Sequence, residues 1–504
     1  MSFHDGAKHR GPLILETDVV IVGSGAGGSV VAAILAEAGQ RVIVLEEGRH
    51  VPAAEYSKLT PSQQMRAMWR DAGLTFAVGV GDSPVINVMM GKCVGGSSAL
   101  TGGVCFRTPG HVLDVWRKDR GLPMFTEEHL APFFDEVEEV VNVEEVPASL
   151  RSRSTQLFNE GATKLGHPLK PMRRNTKGCE GNSKCNFGCP IGAKRSVDVS
   201  WLPRATVLGA QVWTHCLVER VTNEDGRANG VVGRLLNGDH GSPGTSFTVH
   251  AKRVVLAAGA YHTPLLAQAS GIGRSSGQVG KNRTLHPSFR VMGRFDEVVA
   301  GWRGALQSMY TDAWEPEGIT MLSLFLPPGV LAATLPGIGP RHVARAAQVP
   351  HLGTFGGLVH DEGGGVVRRG PGREPFVTYR MAQKDKAVVP KLMRLMAEIW
   401  FAAGAKEVFL PVLGLGGVTP DRLRTLDLEH VKGRDLECGS QHPLGTCRMG
   451  PSKETSVVDA YGECWDLPGC TIADGSVVPT SLGVNPQLTI MTMALRIARH
   501  LAVS

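Results

Sequence analysis

Several things are scarce in this sequence, and each shortage removes a class of protein. Aromatic residues make up 6% of the 504, and the densest basic stretch, Arg368, Arg369 and Arg373, sits among glycines and prolines. A nucleic-acid surface needs basic side chains interleaved with stacking partners, so no nucleic-acid partner is expected and those arginines read as a solvated loop. Ten cysteines are too few for a disulfide framework in a chain this long; such frameworks belong to short secreted domains. No run of 18 apolar residues occurs, the nearest, residues 321–333, being broken by Pro327, Pro328 and Gly329. Residues 1–17 hold Lys8 and Arg10 but no apolar core of a signal peptide, and the final Ala502-Val503-Ser504 matches no retention or lipidation signal. The expectation is a cytoplasmic protein with reduced thiols.

Glycine, in contrast, is plentiful: 63 of 504 residues, well above the ordinary share of about 7%. It shows no three-residue period, which excludes collagen. A hydrophobic share of 42% excludes global disorder. Glycine here must serve tight turns and close approach of backbone to something. No internal repeat is visible.

Some of these glycines have an evident task. Residues 18–22 (Asp-Val-Val-Ile-Val) fit a buried parallel strand, residues 29–38 a small-residue helix, and residues 41–45 a second buried strand. Between strand and helix stands Gly23-x-Gly25-Ala26-x-Gly28. Bare backbone there can turn sharply and let a pyrophosphate rest on the helix N-terminus. Glu46 closes the second strand, 18 residues after Gly28, placed to accept hydrogen bonds from a ribose diol. That favours FAD or NAD over NADP. Residues 253–257 read as a further strand, and residues 388–403 and 486–501 carry helical spacing. Residues 290–380 alternate strand-like and Pro/Gly-rich stretches.

Four more segments carry a resemblance. Residues 91–103 (GKCVGGSSALTGG), 254–269 (VVLAAGAYHTPLLAQA, followed by Ser270-Gly-Ile-Gly273), 438–450 (CGSQHPLGTCRMG) and 472–488 (IADGSVVPTSLGVNPQL) are similar, in the same order, to motifs of the glucose–methanol–choline oxidoreductase family. The resemblance implies an α/β protein with a Rossmann-like FAD-binding domain drawn from residues 12–105, 190–290 and 435–504. It implies a second, α+β substrate domain on a mixed sheet, drawn from residues 106–189 and 291–434. It implies FAD contacts at Gly95, Gly96, Ser97, Ser98 and Thr101, at Val218, at Ala258 and Gly259, and at Asp474, Gly475, Asn485 and Pro486. Thr101 departs from the asparagine common there. Leu100 stands where some members bind FAD covalently through histidine, so the flavin is expected to be non-covalent.

The implied chemistry is oxidation of an alcohol. It needs a base for the hydroxyl proton, and a neutral imidazole suits that task. By motif position His442 is the expected base, and Asn485 the group that orients the alcohol oxygen and stabilises its developing charge. His262 and His286 keep a structural reading. The expected substrate is a hydrophobic primary or secondary alcohol, with dioxygen, a quinone or another electron acceptor as partner. The apolar residues 321–335 are read as a pocket wall or entrance, against a packed core or a peripheral membrane contact. A non-redox, FAD-containing hydroxynitrile lyase, a flavin electron-transfer dehydrogenase acting on a sugar, and an NAD-dependent dehydrogenase are the rivals. The oligomeric state is left open.

One cluster stands apart. Cys179, Cys185 and Cys189-Pro190 match three positions of the bacterial ferredoxin run, with Asn182 in place of the second cysteine. Three thiolates would suit a three-iron cluster; zinc would need a fourth ligand. Packed, buried thiols are favoured over an iron–sulfur cluster.

Overall fold

The computed structural model describes residues 3–239 and 241–504. Its first sheet is built around strand Leu13–Val22, which pairs in parallel with Val42–Leu45 on one side and with the end of Pro243–Leu256 on the other. Residues 19–22 are buried in full, which is why this strand reads as an unbroken apolar run. Gln211–Thr214 and then Phe3–Asp5 extend the sheet in parallel beyond Val42–Leu45. Arg227–Leu236 and Cys216–Glu224 extend it antiparallel beyond Pro243–Leu256, and Cys470–Ile472 adds in parallel to that long strand's end.

The glycine-rich turn hands Leu13–Val22 to helix Ala26–Glu37, three residues earlier than the spacing of apolar residues indicates. Gly25 adopts an extended conformation and acts as its N-cap, so the small residues Ala26 to Gly28 already belong to the helix. Helices Trp201–Val207 and Gln487–Val503 pack against it.

The second sheet is mixed and larger. Strand Ser288–Arg294 lies at its centre, antiparallel to Leu352–Val359 and to Glu407–Phe409. Beyond it run Cys438–Ser440, Ile86–Val88, Phe76–Gly79 and the hairpin Pro375–Tyr379 with Gly365–Arg369. Segments from both expected domains thus share this sheet. In the other direction, the buried side chains of residues 112–141 pack on the core of the first sheet.

Helix Gln383–Ala402 begins five residues before its apolar spacing does, and it covers the second sheet. Glycine on Leu352–Val359 permits this. A Cβ at Gly353 would stand 2.8 Å from Trp400 Cη2, and one at Gly357 would stand 2.5 Å from Leu392 Cδ1. Gly353 and Gly357 make room for a helix, not for a ligand.

The apolar stretch 321–335 does not form a pocket wall. It supplies strand Ile319–Ser323 and helix Pro328–Ala333, and Phe325, Leu331 and Leu335 pack with Met292, Val349, Leu352 and Phe409 in a small core. The expectation is corrected to a packed core, because these side chains find partners on their own sheet. Among the described residues no helix is long and apolar enough to cross a membrane.

Replacing Gly353 with Ala should cost about 1–3 kcal/mol by overpacking against Trp400. Gly329→Ala, in a helix with open space around its Cβ, should be neutral or stabilise by about 0.4–1 kcal/mol. Urea unfolding of both variants checks the pair; equal effects would contradict the packing account.

Candidate active site

A cavity of about 570 Å³ opens at the carboxyl ends of the parallel strands, where ligands settle in open α/β sheets. Its first wall is the glycine turn. Gly23 takes φ +100° and donates its N–H to Leu45 O at 2.8 Å. A Cβ on Gly23 would strike the carbonyl of Ala257, one on Gly27 the carbonyl of Ala473, and one on Gly28 the carbonyl of Gly23. These three glycines allow backbone to touch backbone. Gly25 differs: nothing lies within 4 Å of its Cβ position, and it faces the cavity. The helix start behind it has no side-chain cap. An open cradle at an uncapped helix N-terminus fits a pyrophosphate.

Gly96, Ser97 and Ser98 line the facing wall. Gly96, at φ +53°, would place a Cβ 3.0 Å from Gly25 Cα, so the two glycine loops also meet through bare backbone. Glu46 lies on the wall as well. Its Oε2 accepts from Ser24 N at 3.0 Å and Ser24 Oγ at 2.7 Å, and its Oε1 from Gly48 N at 2.9 Å. Burial pushes its carboxyl above the ordinary value against the pull of those donors. Val218, Leu265 and Leu266 give an apolar end to the cavity.

Ala258, Gly259, Asp474 and Gly475 close the fourth side. Asp474 is both a cap and a clasp. Its Oδ1 accepts from Ser476 N at 2.8 Å, while Oδ2 accepts from Gly259 N at 2.8 Å and Thr263 Oγ1 at 2.5 Å. It thereby ties the helix Gly259–Ala269 to the short turn Gly475–Val477.

His442 reaches the cavity beside Gln441, Pro443, Pro486 and Ile490. Two β elements hold it: Cys438–Ser440, paired with Ile86–Val88 and Ser288, and the bridge from Leu444 to Thr284. Its Nε2 stands 3.0 Å from Asn485 Nδ2. An amide nitrogen only donates, so Nε2 presents its lone pair and Nδ1 carries the hydrogen. Neither His442 Nδ1 nor Asn485 Oδ1 has a partner, though both are buried. Burial lowers the imidazole to about 4.

Of the residues singled out from sequence, Gly28, Gly95, Thr101 and Asn485 lie off the cavity wall. Gly28 packs on the turn itself. Gly95 N donates to Ser24 Oγ at 3.1 Å. Thr101 Oγ1 donates to Gln487 Oε1 at 3.1 Å, tying its loop to the helix that follows Pro486. Asn485 reaches the site through His442.

Other residues of the site gave no signal in sequence. Lys194, almost fully buried, donates from Nζ to the carbonyls of Ala99 at 2.7 Å, Thr101 at 2.9 Å and Cys185 at 2.8 Å, and burial lowers its pKa to about 8. Arg70 joins Glu47 at 2.6 Å and Glu374 at 3.2 Å on the wall's rim, with His262 3.5 Å from Glu374. Arg369 and Arg373 also line the cavity, so that basic stretch is more than a solvated loop.

The cysteine segment is a correction. Cys185 accepts a hydrogen bond from the buried Arg174 Nη2 at 3.0 Å, while Cys179 and Cys189 are part-exposed. Among the described residues no group of three His, Cys, Asp or Glu side chains could hold a metal ion. The Cys185 sulfur is engaged by an arginine, nothing in the segment supports an iron–sulfur cluster, and that reading is dropped.

Replacing Gly25 with Val should leave folding intact, since φ is −73° and the space is open, yet it should fill the pyrophosphate cradle. The expected outcome is a protein of near-native melting temperature that purifies with little flavin. Full retention of flavin would contradict this placement.

Two models of the GMC oxidoreductase family match the chain, over residues 17–288 and 369–494. A GMC-type oxidoreductase of Mycobacterium tuberculosis H37Rv is 37% identical across 97% of this chain and 76% of its own length. A long-chain-alcohol oxidase of Arabidopsis thaliana is 29% identical across 97% of this chain and 68% of its own. Among solved structures, pyridoxine 4-oxidase from Mesorbium loti superposes with a TM-score of 0.73 at 19% identity, covering 97% of this chain and 99% of that one. A formate oxidase structure gives 0.71 at 16%, covering 97% and 98%. Those two likenesses concern the fold, whereas the family models run through the glycine turn and both segments that carry His442 and Asn485. The chain belongs to the GMC oxidoreductases, FAD-dependent oxidoreductases acting on CH–OH donors.

Proposed function

We propose that this protein oxidises an alcohol with an apolar carbon skeleton to the aldehyde or ketone, using FAD held without a covalent link. The observation that carries the reading is His442 on the wall of the dinucleotide cavity, with Asn485 Nδ2 3.0 Å from its Nε2. In this reading Gly25 and the start of helix Ala26–Glu37 would hold the pyrophosphate, Glu46 the ribose, and Ser97, Ser98 and Pro486 the flavin end. The first sheet serves the cofactor and the second covers the substrate. Leu100, buried and without a nucleophilic atom, leaves no covalent anchor at its position.

FAD, when bound, supplies the acceptor for the hydrogen carried on the alcohol carbon. The chain's own groups manage the hydroxyl. Its oxygen enters between Asn485 Nδ2 and His442 Nε2, replacing their mutual hydrogen bond. Nε2 takes the proton, and Nδ2 donates to the oxygen as negative charge grows there. A depressed pKa keeps the whole His442 population in the neutral, proton-accepting form at neutral pH. The apolar side chains of Met90, Pro443, Pro486 and Ile490 on the cavity wall that His442 shares, with the likeness to long-chain-alcohol oxidases, support an apolar alcohol over a sugar.

Anaerobic mixing of the purified yellow protein with alcohols of increasing chain length tests the reading. Flavin bleaching should be faster with long-chain alcohols than with sugars, and reoxidation by dioxygen, a quinone or a dye identifies the acceptor. Absence of bleaching by any alcohol would favour the hydroxynitrile lyase alternative. His442→Ala should slow bleaching by about 10²–10⁴-fold, and Asn485→Ala by about 10²–10³-fold. Because the pKa of His442 is lowered, its base form is lost only as pH falls toward about 4. The bleaching rate should stay level between about pH 6 and 9 and drop on the acid side; a rise across neutral pH with a midpoint near 6.5 would contradict a depressed His442.

A further inference from the structure

Residues 478–486, which carry Asn485 to the site, form neither helix nor strand. Something else must set their course to a fraction of an ångström. His286 lies directly behind them and is fully buried. Its Nε2 accepts from Leu482 N at 2.9 Å and from Gly483 N at 3.1 Å. One ring nitrogen facing two N–H donors has to be unprotonated, so the ring is neutral with its hydrogen on Nδ1, a buried atom with no partner.

The ring is itself held in an uncommon way. His286 adopts φ +50° just before Pro287, a left-handed conformation that non-glycine residues visit rarely. Its own N–H donates to Asp361 Oδ1 at 2.9 Å. Asp361, also buried, accepts from Leu285 N at 3.0 Å, from Tyr379 Oη at 2.9 Å and from Ser481 Oγ at 3.3 Å. On the opposite side Gly483, at φ +71°, lies so close to the His360 ring that a Cβ would come within 2.5 Å of Nδ1. The His286 ring centroid is 5.3 Å from that of His442. Strain of this kind persists where the surroundings over-determine it, and it gathers at functional sites.

We propose that His286 is a positioning residue for the reaction: a neutral, doubly accepting imidazole that locks residues 481–483 so that Asn485 Nδ2 meets His442 Nε2. It touches neither substrate nor flavin in this role and acts through Asn485. The inference rests on the His442–Asn485 reading for its catalytic consequence, though not for the lock itself.

Three substitutions separate this lock from simple packing. Gln places an acceptor where Nε2 stands, whereas Leu and the more adaptable Met fill space without one. All three meet the same backbone conformation, and Met covers the case in which Leu fails to fold. Hydrogen exchange of the Leu482 and Gly483 amides in the FAD-loaded protein should quicken about tenfold or more in His286→Leu and His286→Met and return toward wild type in His286→Gln. Flavin bleaching by alcohol should slow roughly ten- to hundredfold in the acceptor-free variants and recover with Gln. In an Asn485→Ala background, His286→Leu should cost nothing further, because both changes break one arrangement. Unchanged exchange at residues 482 and 483, no recovery with Gln, or losses that multiply in the double variant would overturn the proposal. Should no alcohol bleach the wild-type flavin, the functional reading fails alone, and exchange in the Leu, Met and Gln variants still decides the lock.

Discussion

The contact on which this molecule depends is that of backbone against backbone where the first strand turns into its helix. Gly23, Gly27 and Gly28 stand where any side chain would enter the carbonyls of Ala257, Ala473 or Gly23 itself. Because they are bare, residues 23–28, 257–259 and 473–475 converge, and Gly96 brings residues 95–98 against Gly25. From there a ladder continues outward. Ala473 N donates to Leu256 O at 3.0 Å, Gly445 N to Gly475 O at 3.1 Å and Cys447 N to Ser476 O at 2.8 Å. The chain that bears His442 is thus aligned by the same approach that shapes the cofactor cradle. The glycine turn and the His442 segment are one construction.

The chemistry at the end of that construction works with little formal charge. Burial depresses His442, His286 and His360; the ring of His442 meets the Asn485 amide, and that of His286 meets two backbone N–H groups. A carboxylate beside His442 would raise its pKa and hold a proton on it at neutral pH. Asp361 is kept one residue back, its oxygens engaged by the N–H groups of Leu285 and His286 and by Tyr379. Likewise Lys194 spends its three donors on the carbonyls of Ala99 and Thr101 in the second glycine loop and of Cys185. The polar groups of the site are arranged to hold backbone still, leaving one lone pair available.

What could be read in the sequence follows from how local each signal is. The strand, glycine turn, helix and Glu46 were legible because a few dozen residues contain the whole pattern, and the turn requires glycine whatever surrounds it. His442 and Asn485 were singled out through two motif segments remote from each other, and the structure brings their side chains to 3.0 Å. His286 and Lys194 were not legible, since their importance lies in meeting residues 482–483 and 99–101, remote in sequence. The stretch 321–335 misled because apolar residues look alike whether they line a pocket or pack on Phe409 and Val349. The cysteine spacing at 179–189 left two readings open, as spacing alone does not disclose that Arg174 donates to the Cys185 sulfur. The glycines at 353 and 357 had no reading until Trp400 and Leu392 were seen against them.

The central claim is that this cavity removes hydrogen from an alcohol carbon while His442 takes the hydroxyl proton. Anaerobic stopped-flow reduction with a long-chain primary alcohol, undeuterated and doubly deuterated at its first carbon, tests it most directly. Slower flavin bleaching with the deuterated alcohol is the result the account predicts. Bleaching at the same rate with both, or none with either, would contradict it.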